Sequence, residues 1–103
     1  MNDVNFQTSF RIGADHPALP GHFPGQPVVP GVVLLDRVAA AVGAWKGATV
    51  IGMPQVKFVQ ALLPNEDAEL RLEGSASAGI RFHICRADAV IATGLLEIAG
   101  CGT

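Results

Sequence analysis

A histidine, a glycine and an aspartate fall within fifteen residues of one another: His22, Gly31 and Asp36. Imidazole is the side chain best matched to moving protons near neutral pH. Gly31 stands where a helix is predicted to begin. The free N–H groups and positive dipole end of a helix start can hold a carbonyl oxygen as negative charge builds on it. Asp36 stands in the second turn of an otherwise apolar helix, where a carboxylate is costly unless it is paired or put to use. A base, a carboxylate and an oxyanion donor together suit proton abstraction next to a carbonyl. Each residue also has a plainer reading. His22 taken alone is a loop histidine, Asp36 is a helix-surface aspartate paired with Arg37 or Lys46, and Gly31 is needed at a helix start in either case.

The elements that must position these groups can be read from periodicity. Residues 2–12 alternate, with Val4, Phe6, Thr8, Phe10 and Ile12 on one face, as in a half-buried strand. Residues 13–31 hold five of the seven prolines (Pro17, Pro20, Pro24, Pro27 and Pro30). Proline fixes φ and removes a donor, so neither a ladder nor a long helix runs through this stretch; it reads as a stiffened, functional loop. Residues 32–45 read as a helix that starts after Pro30 and Gly31 and stops at Gly47. It is apolar on nearly every side, the mark of a buried helix. Residues 50–62, 68–76, 80–87 and 90–98 read as strands. The turns between them fall at 64–67, 75–79 and 87–89, and connections this short imply antiparallel neighbours. The order predicts one α+β domain over residues 1–103, a sheet curled around a central helix.

Composition narrows the functions. Half of the residues are hydrophobic and 16% are charged, so disorder is excluded. No apolar run reaches the roughly 20 residues that a bilayer span needs, and residues 1–10 are too polar for a signal peptide. The apolar excess points instead to a partner surface, most simply a symmetric dimer. A net charge of −2 gives no electrostatic case for nucleic acid. Cys85 and Cys101 have no metal-type spacing and read as reduced thiols of a cytoplasmic protein. With only three histidines beside them, no metal site is expected. His83 alternates with Phe82 and Ile84 and is expected to face outward. Trp45 is expected to plug the core at the helix end.

The run His22-Phe23-Pro24-Gly25-Gln26-Pro27-Val28-Val29-Pro30-Gly31, followed by a helix bearing Asp36, resembles the active-site signature of the β-hydroxyacyl-acyl carrier protein dehydratases. In that family HFPGxPxxPG leads into a central helix with an acidic residue. The resemblance covers fifteen consecutive residues, and the order of elements extends it to most of the chain. It implies a hotdog fold, in which a five-stranded antiparallel sheet wraps a central apolar helix. His22 would be the base that removes the α-proton, and Asp36 the acid that helps the 3-hydroxyl leave as water. The N–H of Gly31 would polarise the thioester carbonyl, and Phe23 and Val28 would line the acyl channel. The substrate would be a 3-hydroxyacyl thioester on an acyl carrier protein, with no cofactor. Each site would join a histidine and an acid from different subunits of a dimer. Aspartate at this position is similar to the branch that also isomerises the double bond, and the compact chain looks like relatives from aryl-polyene-type clusters. One departure stands out: the family has a glutamine four residues after the acid, and here that residue is Ala40. Two alternatives stand beside this reading: a hotdog thioesterase or hydratase, although a thioesterase lacks the HFPG loop, and a catalytically weak subunit of a heterodimeric dehydratase.

Overall fold

A computed structural model describes residues 4–13, 28–75 and 79–99. The elements run β1 (Val4–Arg11), α1 (Gly31–Lys46), β2 (Thr49–Phe58), β3 (Asp67–Ser75), β4 (Gly79–Arg86) and β5 (Ala89–Ala99). All strand pairs are antiparallel and the sheet order is β1-β3-β4-β5-β2. This is the α+β hotdog arrangement expected from the sequence.

Alternation builds the sheet. Ile80, Phe82 and Ile84 are fully buried, while Arg81 is exposed and His83 is half-exposed beside Glu73. Leu70 and Leu72 of β3 face the same way. The row Phe6–Leu72–Phe82–Gly94–Val56 crosses all five strands. Gly94 is required there, because a Cβ would sit 2.4 Å from the Phe82 ring and 2.5 Å from the Gln55 carbonyl. On β5 the register slips by one residue opposite Ile84 and Cys85, so Ile91 and Ala92 are both buried. Such a bulge redirects a backbone carbonyl. Here the Ile91 oxygen accepts the N–H groups of Val59 (2.8 Å) and Gln60 (3.3 Å).

That contact corrects one expectation. Residues 50–62 were expected to form one strand, but β2 ends at Phe58. Beyond it the chain turns away, held by the bulged carbonyl. The helix matches its expected span within a residue at each end. Gly47 closes it at φ 64, with its N–H on the Gly43 carbonyl (2.9 Å), as a glycine past a helix end does. Trp45 is half-buried and stacks on Phe6 with ring centroids 5.8 Å apart.

The expectation of a helix buried all round needs a second correction. Val33, Leu34, Val38, Ala41 and Val42 pack on the sheet. Val32, Asp36, Ala40, Gly43 and Ala44 lie exposed on the opposite face. A five-stranded sheet covers only one side of a helix, so a single chain leaves the other side open.

Candidate active site

The start of α1 is built to present backbone donors. Pro30 caps the helix in an extended conformation (φ −62, ψ 147), and its carbonyl accepts the N–H groups of Val33 (3.0 Å) and Leu34 (3.4 Å). No side chain caps this end and no acidic residue stands in the first turn. Among the described residues, the positive end of the helix therefore has no capping or first-turn acid to offset it. Gly31 lies against Phe58, where a Cβ would come 2.7 Å from the ring's Cζ. A larger residue there would have to displace the half-exposed Phe58 ring, which closes on the helix start from the end of β2.

A cleft of about 340 Å³ opens beside Gly31. Val28, Val29 and Leu34 line one side, and Phe58 to Leu62 line the other. Its walls are mostly apolar, and the Val29 N–H ties them together by donating to the Leu62 carbonyl (2.8 Å). Phe58, Val59 and Leu63 remain about half exposed near it, as does Val32 on the first helical turn. Large exposed apolar side chains gathered in this way mark a surface that another molecule covers.

Asp36 lies one turn beyond the cleft, on the open face of α1 between Val32 and Ala40. It does not line the cleft. Its two sequence-proposed partners are engaged elsewhere: the Arg37 guanidinium lies 5.8 Å from the centre of the Phe10 ring, and the Lys46 ammonium 4.5 Å from that of Trp45. Among the described residues no ion pair holds the Asp36 carboxylate. The structure therefore brings Gly31 and Val28 to one cleft and leaves Asp36 outside it within a single chain. His22 and Phe23 lie outside the described residues, as does Cys101. No three described His, Cys, Asp or Glu side chains gather as metal ligands. No described helix is long and apolar enough to cross a membrane.

Two contributors were not legible in the sequence. Phe58 was read as an interior strand residue, yet it ends β2 against Gly31. Arg86 is one of the chain's seven lysines and arginines and belongs to no motif. In the structure its Nη1 donates to the Ala61 carbonyl (3.1 Å) and to Glu66 Oε1 (3.0 Å), and its Nη2 to Gln60 Oε1 (3.4 Å). Glu66 Oε1 also accepts the Leu63 N–H (2.9 Å). That backbone hydrogen bond, and then Arg86, hold the Glu66 carboxyl below its usual range despite some desolvation. The ion pair is therefore complete at neutral pH. Its contribution to stability fades as pH falls through the lowered value.

Comparison with known proteins gives the family and the fold. A family described as ApeI-like, ApeI dehydratase, matches residues 1–95. The 3-hydroxyacyl-acyl-carrier-protein dehydratase FabZ of Haemophilus influenzae is 32% identical over 73 residues, covering 61% of this chain and 49% of the relative. FabZ of Chlamydia trachomatis is 33% identical over 86 residues, covering 73% of this chain and 56% of the relative. The chain thus spans about half the length of these curated relatives. Among solved structures, the dehydratase heterocomplex ApeI:P from Xenorhabdus doucetiae superposes with a TM-score of 0.83 at 20% identity, over 93% of this chain and 88% of that one. An uncharacterized protein from Erwinia carotovora superposes with a TM-score of 0.79 at 26% identity, over 94% of this chain and 84% of that one.

Proposed function

The chain belongs to the ApeI-like dehydratase family, and we propose that it eliminates water from a 3-hydroxyacyl thioester on an acyl carrier protein to give the trans-2-enoyl thioester. The observation that carries this reading is the junction at Gly31. The dehydratase-like run from His22 ends where α1 begins, at the mouth of an apolar cleft, with Asp36 on the same helix. A thioester carbonyl held by the Gly31 N–H would have its C2 proton acidified, because that donor stabilises the charge that develops on oxygen. His22 takes the C2 proton. The C–H electrons form the C2=C3 bond, the C3–O bond breaks, and the departing hydroxyl leaves as water with a proton from Asp36. No cofactor is required for this step. The acyl chain would lie along the cleft past Val28 and Phe23.

We further propose that the site is shared between two copies, with His22 of one subunit facing Asp36 of the other. The open face of α1 and the exposed apolar residues around the cleft favour this, since each lacks cover within one chain. The enzyme would work in the cytoplasm, in fatty-acid or polyene-type biosynthesis.

The test is complementation. His22→Ala and Asp36→Asn homodimers are each expected to lose dehydration on the order of 10²–10⁴-fold, read by mass spectrometry as loss of water from carrier-bound substrate. Unfolding the two together and refolding them should restore roughly a quarter of wild-type activity. Half of randomly formed dimers are mixed, and each of those carries one intact site. Activity that survives in either variant would sink the assignment, and absence of rescue would sink the shared site. Free acid without enoyl product would mean a thioesterase. A second reading, a weak subunit that supports a partner dehydratase, is favoured by one observation: Ala40 stands exposed one turn after Asp36, where the dehydratases have glutamine. An inert homodimer that gains activity when mixed with a paralogue would establish it.

A further inference from the structure

The connector between β2 and β3, residues 59–66, is anchored at every side. Its first residues hang from the bulged Ile91 carbonyl. The Leu62 carbonyl accepts the Val29 N–H (2.8 Å), and the Asn65 N–H donates to the Ile12 carbonyl (2.8 Å). Ile12 and Val29 flank the stretch that carries His22, one on each side in the sequence, and Val29 is two residues before Gly31. A single short connector therefore fixes both backbone anchors of the histidine-bearing stretch, the start of α1 and one wall of the cleft. Leu62 itself is buried in the core, which holds the connector from beneath. Asn65 takes φ 66, the left-handed region that asparagine tolerates better than most residues.

One side chain from outside the connector grips it. Arg86, the last residue of β4, reaches three of its acceptors: the Gln60 side chain, the Ala61 carbonyl and the Glu66 carboxylate. A planar guanidinium can serve several acceptors at fixed angles, which an ammonium cannot. The pair with Glu66 is about two-thirds covered on both sides, unlike the open Arg11–Asp67 pair. We propose that Arg86 is a positioning residue for catalysis: by bracing residues 60–66 it sets where the Gly31 N–H stands relative to the cleft. The proposal rests on the dehydratase reading for its kinetic consequence, and on the hydrogen-bond geometry alone for its structural one.

Two measurements separate these. Amide hydrogen exchange on intact wild type, Arg86→Gln and Arg86→Lys reads the brace without any assay. In Arg86→Gln, exchange at Val29 and Asn65 is expected to quicken on the order of tenfold, the loss of about one charge-assisted hydrogen bond's worth of local protection. The core amides of Leu72, Phe82 and Ile84 should keep their wild-type rates. Unchanged rates at Val29 and Asn65 would overturn the proposal. So would an equal acceleration through the core, since Arg86 would then only stabilise the fold. Steady-state dehydration then reads the consequence. Displacing a transition-state donor lowers kcat more than it raises KM. Arg86→Gln is therefore expected to lose about tenfold in kcat with KM changed less than about twofold, and Arg86→Lys to recover part of the loss. A rise in KM at constant kcat would overturn the positioning role. Wild-type protein with no dehydration at all would sink the functional reading instead, and the exchange result would stand on its own.

Discussion

The two faces of α1 are made from different materials. The inward face is valine, leucine and alanine in contact with a sheet of isoleucine, leucine and phenylalanine. The outward face is alanine, glycine, one valine, one carboxylate and, at its edge, Arg37. Both are poor in charge, so hydrophobicity alone does not distinguish them. Side-chain volume does. Bulk on the inner face fills the space between helix and sheet, where packing density decides stability. Small residues on the outer face let something approach the helix closely and leave Asp36 standing clear. One face holds the fold together, and the other is, on the reading proposed above, the one available for chemistry and a partner.

Substitutions on each face should therefore separate activity from stability. The largest effect is expected at Asp36→Asn, which keeps size and removes only charge. Dehydration should fall on the order of 10²–10⁴-fold, while urea unfolding stays within about 0.5 kcal/mol of wild type, as for an exposed site. A variant that unfolds but keeps full activity per folded molecule would erase the distinction between the faces. The reverse is expected of Val38→Ala, fully buried on the inner face. It should lose about 2 kcal/mol of unfolding free energy, from lost burial and the cavity left behind, with kcat unchanged below the transition. A comparable loss of kcat would mean that the inner packing also sets the position of the carboxylate. Smallest is Gly47→Ala, at the left-handed cap that ends both faces together. About 1 kcal/mol is expected there, measured by the same denaturant titration and with no effect on chemistry.

Much of this was legible in the sequence, because it is local. The alternation of Ile80, Phe82 and Ile84 places β4 and its buried face directly. Pro30, Gly31 and Gly47 bracket the helix within a residue or so. What local pattern cannot supply is the identity of whatever covers an apolar surface. The all-round apolar helix was therefore read as enclosed, although one chain covers half of it. The end of β2 was missed for a related reason. Residues 59–62 are mostly apolar, like a strand, and their departure is set by the Ile91 carbonyl and by Arg86, both 24 or more residues away in sequence. Gly31 and Val28 could be grouped from the sequence because their motif is contiguous, and both line one cleft. Phe58 joins that cleft, and Arg86 the connector that walls it, only through tertiary contacts.

Consider finally what it means that Ile12 and Val29 are moored to one connector. Each end of the intervening stretch is tied to that connector by a backbone hydrogen bond of its own. The cost of closing a longer stretch grows only slowly with its length. Such a scaffold can accept a rewritten or extended insert over its histidine without re-registering a single strand. On the dehydratase reading proposed above, acyl preference would then change by exchange of that stretch, with the sheet kept.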